Sequence, residues 1–197
     1  MKKIVAFIFI ATCMLSCDVA QQLMGTYNMT QCKYEYNSIS GLTLAGINMQ
    51  NISSLSSLNP VSAANLIAAF ASPNGSLPLN FVLNIDVTNP GVQTALLNGL
   101  SYILEIDGIE MTQGVLNKQI KIGSGQKTVL PVSMAFDLKK VLSGKSMDAV
   151  KNLAFNFSGI GTGASNVTFR LKPSFNVGGK TFNSPNYIPV SFTLKKT

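Results

Sequence analysis

The chain has 197 residues, with 15 Lys/Arg against 8 Asp/Glu, a formal charge of +7, and neither His nor Trp. The missing histidine removes the commonest general base and the commonest transition-metal ligand, so a zinc or general-base site is disfavoured from the outset. Past the first few residues, Lys and Arg are spread singly, with pairs only at Lys139-Lys140 and Lys195-Lys196. That pattern argues for a solvated basic surface and against nucleic acid as a partner, which calls for a concentrated stripe with aromatics.

Lys2 and Lys3 open the chain, and an apolar run from Ile4 extends, past Thr12, to Leu15. About a dozen residues are too few to span a ~30 Å hydrocarbon core, and the charged start fits a secretory signal. The run ends in Met14-Leu15-Ser16-Cys17, which resembles the bacterial lipobox. In that motif the cysteine takes a diacylglycerol thioether and becomes the mature N-terminus. Met14 departs from it, since Leu is usual there. The expected organisation is a signal peptide at 1–16, a lipidated tether at 17–33 with Cys17 as the acylated residue, and one domain at 34–197. Cys13 leaves with the signal and Cys17 carries lipid. Only Cys32 of the three cysteines remains, so no intramolecular disulfide is available, and Cys32 reads as a stray thiol in preference to an intermolecular partner.

From Tyr34 the chain reads as strands. Tyr34 to Met49 shifts its apolar spacing around Gly41 and Gly46, as a bent or bulged strand does. Val61 to Ala71 is helix-like, with Asn59-Pro60 at its front and Leu66, Ile67 and Phe70 on one face. Phe81, Leu83, Ile85 and Val87 alternate with Val82, Asn84, Asp86 and Thr88, as in a half-buried strand. Asn89-Pro90-Gly91 turns the chain. Tyr102, Leu104 and Ile106 alternate up to the hairpin dipeptide Asp107-Gly108. After Leu116, Ile120 and Ile122, Gly123 to Gln126 reads as a hairpin turn. Leu130, Val132, Met134 and Phe136 make a strand in which Pro131 marks an edge or bulge. Asp137 to Val150 reads as a broken short helix, and Leu153, Phe155 and Phe157 as an alternating strand. Gly159 to Asn166 is a loop. Val167, Phe169 and Leu171 form a strand, as do Ile188, Val190, Phe192 and Leu194. Seven to nine short strands with turns between them specify an all-β antiparallel sandwich with one or two short accessory helices.

Within this pattern, LPLNFVLNIDVTNPG, LNGLSYILEIDGIEMTQG and KQIKIGSGQKTVLPVSM, over about Leu77 to Phe136, resemble the late embryogenesis abundant type-2 (WHy domain) family. The elements carrying the likeness are Asn89-Pro90, the run Tyr102 to Gly108, Gly114, and the strands flanking Gly123 to Gln126. The resemblance implies an immunoglobulin/fibronectin type III-like sandwich with no cofactor and no catalytic residues, in a family associated with stress protection and, for some members, lipid binding. The segment Asp137 to Asn152 and the strands of 166–195 enlarge the domain beyond that pattern.

Candidate chemistry is sparse. Ser124 to Lys127 matches S-x-x-K, but in a glycine-rich turn and not on the helix such enzymes use. Gly159 to Gly163 is glycine-rich without the following lysine and helix of a phosphate loop. Glu105, Asp107 and Glu110 form the one acidic cluster, with Glu105 and Asp107 expected on one face of a strand. The reading is a non-catalytic envelope lipoprotein with no cofactor and no metal. It is held to a membrane by lipid and engages an envelope protein, glycan or lipid, on the periplasmic face in preference to the cell surface. The alternative is a carrier of lipid or another apolar ligand, which requires a continuous cleft between the sheets.

Overall fold

The computed structural model describes residues 24–195 apart from 26, 73 and 178. The signal segment and Cys17 lie outside them. The alternation of 81–88 becomes β3 (Pro78–Thr88), which buries Leu79, Phe81, Leu83, Ile85 and Val87. It pairs on one side with β1 (Lys33–Leu44) and on the other with β8 (Lys127–Asp137). The two-residue β2 (Ile47–Asn48) completes an antiparallel sheet of order β2-β1-β3-β8. Two register shifts, between Tyr36 and Ser38 and between Ser40 and Thr43, bend β1; the second brackets Gly41 as expected, whereas Gly46 lies in the turn between β1 and β2. Pro131 lies on the edge strand β8, where a missing N–H costs no ladder bond.

The second sheet is built on the hairpin of β5 (Gly99–Ile106) and β6 (Ile109–Leu116). Asp107 and Gly108 both take positive φ, 51° and 76°, as a two-residue turn matched to strand twist demands. β5 pairs with the long β9 (Ala164–Val177), whose other edge is shared by β11 (Ile188–Lys195) and β10 (Lys180–Asn183). β4 (Ala95–Leu97) and β7 (Ile120–Ile122) form a small separate ladder. The two main sheets pack face to face over one apolar core that includes Leu83, Ile85, Leu104, Leu130 and Phe169. At its margin the rings of Tyr36 and Phe192 stack 3.8 Å apart at 15°. The chain is an antiparallel sandwich of the immunoglobulin/fibronectin type III kind with short helices.

Three expectations are corrected. Residues 153–157 are not a strand: α3 (Met147–Phe157) is helical and buries Val150, Leu153, Ala154 and Phe157. The i, i+3, i+4, i+7 spacing of those four outweighs the short alternation 153/155/157. The turn 123–126 does not close a hairpin, because β7 pairs with β4 while β8 pairs with β3, so it carries the chain from one ladder to another. The end of the supposed tether is packed onto the domain. Residues 27–31 are helical, Met29 is wholly buried and Cys32 nearly so, both in the core.

The helices gather at one end. α1 (Pro60–Ala71) starts from an Asn59 cap, whose Oδ1 accepts from the Ser62 amide at 2.8 Å. It precedes β3 at Pro78, which faces Asp137 across the ladder. Asp137 caps α2 (Leu138–Val141). The ring of Phe157 on α3 lies 5.0 Å from Phe81 on β3. This helical pole stands at one end of the 11-residue β3, and the 27–31 segment stands at the other. At ~3.4 Å per residue the two are roughly 35 Å apart.

Candidate functional site

Several of the residues read as candidate chemistry are occupied in holding the fold. Arg170 lies 2.9 Å from one oxygen of Glu105 and donates to the other at 3.0 Å. Asp107 sits in the turn, not on the strand, and its Oδ1 accepts from the Asn166 amide at 2.8 Å. Glu110 faces Glu105 across the hairpin beside a register shift. The acidic cluster is therefore split between an ion pair and a backbone cap. Lys127 turns away from Ser124 to pair with Asp86. The hydrogen bond it donates to that carboxylate, above all, raises the lysine pKa, which keeps the amine protonated and unsuited to act as a base. In the 159–163 loop the Ile160 and Gly161 amides both donate to Phe155 O, and Gly163 donates to Asn156 Oδ1. These bonds close the C-terminus of α3, the end of a helix that repels anions.

Cys32 is a free thiol. It is buried, its Sγ donates to Asn28 O at 3.4 Å, and burial pushes its pKa up to about 11. The neighbouring Tyr34 hydroxyl donates to Met29 O at 3.0 Å, and burial raises its pKa as well.

Two structural hubs escape motif reading. Asn89 is fully buried, and its amide nitrogen donates to Gln93 O, Ile122 O and Gly123 O at 2.8, 2.9 and 3.1 Å. Its oxygen accepts from the Gly91 amide, and its backbone exchanges bonds with Gln126 and Gly125. The Asn-Pro turn is thus a tie between β3 and the 123–126 turn. Lys139 closes the C-terminus of α1, its Nζ donating to Ala69 O at 2.6 Å and Ser72 O at 2.5 Å.

With a continuous core between the sheets, the concavities lie on the surface. The most apolar is a groove of about 570 Å³ between α1 and α3, lined by Ile67, Phe70, Ala71, Met147, Lys151 and Phe155. Phe70 and Phe155 form its floor, edge to face at 5.3 Å and 76°. Ile67 stands 69% exposed on its wall. Lys151 is its one charged group and is drawn toward Asp148 at 3.6 Å. A smaller hollow of about 300 Å³ lies beside it, bounded by Tyr36, Leu42, Phe157, Ser158 and Leu194.

No protein-family model matches the chain, and no curated protein matches it either. Solved structures with a similar chain trace include a protein from Archaeoglobus fulgidus, at 16% identity over 62% of this chain and 90% of the other, TM-score 0.36. AT1g01470 from Arabidopsis thaliana is also 16% identical, over 62% of this chain and 73% of its own, TM-score 0.36. A third, described as a late embryogenesis abundant (LEA) protein, At2g46140.1, is 14% identical over 98% of this chain and 83% of its own, TM-score 0.35.

Proposed function

We propose that the chain is a non-catalytic, membrane-tethered module of the bacterial envelope, anchored by acylated Cys17, that binds an apolar segment of a partner protein in the α1–α3 groove. The groove carries this reading. It combines an aromatic floor, aliphatic walls and a single lysine, the composition of a site that takes in apolar side chains. Its wall residue Ile67 is mostly exposed, so the groove is open, suiting a second protein surface better than a ligand that must be enclosed. The carrier alternative needs a cleft between the sheets, and those faces are filled by the core. The anchor reading rests on the Ser16-Cys17 junction after an apolar run. A stress-protective role rests on the family resemblance alone.

The test is a photo-reactive residue at position 67 or 147, activated in living cells. The expected result is one discrete protein adduct from the groove positions, abolished by Phe155→Glu. Absence of any adduct, with lipid released on denaturation of the native protein, would favour the carrier.

A further inference from the structure

The 27–31 pole of the sandwich has a surface unlike the helical pole. Register places Lys33 beside Thr88, at the very end of β1 and β3. Lys118 lies between β6 and β7, Lys121 sits opposite Leu96 in the small ladder, and Lys180 opens β10 beyond the β9–β5 pairing. All four are exposed, and none is in an ion pair among the described residues. Among the described residues the acids at this end are Glu35 and Asp86, and Asp86 is taken by Lys127. The helical pole differs: Glu105, Asp107, Glu110, Asp137 and Asp148 mix there with its lysines. In the midst of the basic pole, the loop after Asn89 carries Val92, 91% exposed. It rims a hollow of about 590 Å³ that Gly25, Leu96 and Lys121 also line.

The N-terminal segment joins the domain at this pole. A Cβ built on Gly25 would stand 2.7 Å from Leu96 Cδ1, and one on Gly91 would stand 3.5 Å from Asn28 Oδ1. Seven residue steps separate Cys17 from Met24, a reach of at most ~25 Å at ~3.6 Å each. That is less than the roughly 35 Å between the poles. An acyl chain on Cys17 can therefore sit in a bilayer with the basic pole against the headgroups, but not with the helical pole there.

Resting on the anchor reading above, we propose that this pole is a membrane-docking face. Lys33, Lys118, Lys121 and Lys180 lie over the anionic headgroups of the anchoring leaflet, and Val92 enters its interface. The α1–α3 groove then points away from the membrane. Basic residues near an anionic leaflet and an apolar side chain at the boundary are the two contributions that reinforce a single lipid anchor.

Because the chain contains no tryptophan, Val92→Trp and Ile67→Trp each supply a single fluorescent reporter at an exposed site, one per pole. The full chain is extracted from its own cells, its intact mass is measured, and it is reconstituted into phosphatidylcholine vesicles containing phosphatidylglycerol and a bromine-labelled lipid. The expected result is a blue shift and strong quenching for Val92→Trp, with unchanged aqueous emission for Ile67→Trp. Adding Lys118→Glu and Lys121→Glu, or high salt, reduces the quenching several-fold. An acylated chain in which the residue-92 reporter stays aqueous, or the residue-67 reporter is quenched, overturns the docking face and leaves the anchor intact. A chain without acyl mass on Cys17 sinks the anchor instead, and quenching at residue 92 in that chain upholds the docking face by itself.

Discussion

Asn89 joins three carbonyls from two segments of chain, and no water reaches it. Truncation to alanine leaves those acceptors unsatisfied in the interior, so Asn89→Ala should lower unfolding free energy by about 3 kcal/mol in urea titrations. Its neighbour Pro90 announced a turn, but the burial of the amide depends on the 123–126 turn arriving from far along the chain, which no local pattern encodes. Cys32 was legible only as unpaired. Its burial and high pKa lead to a second expectation: thiol reagents at mildly alkaline pH leave native Cys32 unmodified and label it on unfolding. Acid should also act through two aspartates. The hydrogen bond from Lys127 is the main cause that lowers the Asp86 pKa. At Asp137 burial acts upward, yet hydrogen bonds from the Ser76 hydroxyl and the amides of Leu77, Lys139 and Lys140 together prevail and lower it. A folded pKa below the unfolded value of about 4 stabilises the native state fully above that pH and ceases to do so as pH falls through the folded value. Denaturation midpoints should therefore fall below about pH 4, and less steeply in Asp137→Asn.

Among the elements, the long alternating strands were visible because each has one buried face, and a period of two leaves an unmistakable trace in β3, β5 and β8. The helix α3 was not. Its last residues include aromatics spaced by two, and a five-residue window cannot tell that from a strand. A window reaching back to Val150 can, and it contains the Ser146 cap, whose Oγ accepts from Ala149 at 3.2 Å. Phe157→Ala, which removes a buried ring from beside Phe81, should cost about 4 kcal/mol. Lys139→Met should cost about 1 kcal/mol by uncapping α1, read from the same urea curves. The glycine of the Tyr102-to-Gly114 pattern also has a cause. The two residues are cross-strand partners, and a Cβ at 114 would stand 2.5 Å from the Tyr102 hydroxyl oxygen. That glycine, which the sequence offered only as part of the family likeness, makes room for a ring.

For the molecule as a whole, the sandwich followed from counting seven to nine strands with turns between them, since that many leave few other ways to bury their apolar faces. What counting could not supply was polarity along the long axis. Lysines that look evenly scattered in one dimension leave one end with an excess over its acids only after β1, β6, β7 and β10 take their registers. The α1–α3 groove likewise needs two helices brought together from some 80 residues apart. Neither feature is carried by any motif.

Pro131 has a consequence for crowding. Molecules anchored in one leaflet meet side by side, at high local concentration and with little freedom to tumble. The outward rim of β8 is where a neighbour's strand would add itself to the first sheet. A proline near the middle of that 11-residue rim withholds one donor and breaks the row an added strand would need. Pro131→Val should leave the monomer fold intact yet raise light scattering of concentrated protein over hours. On the anchor proposed above, the residue that merely marked an edge in the sequence would keep a populated membrane surface from becoming a polymer.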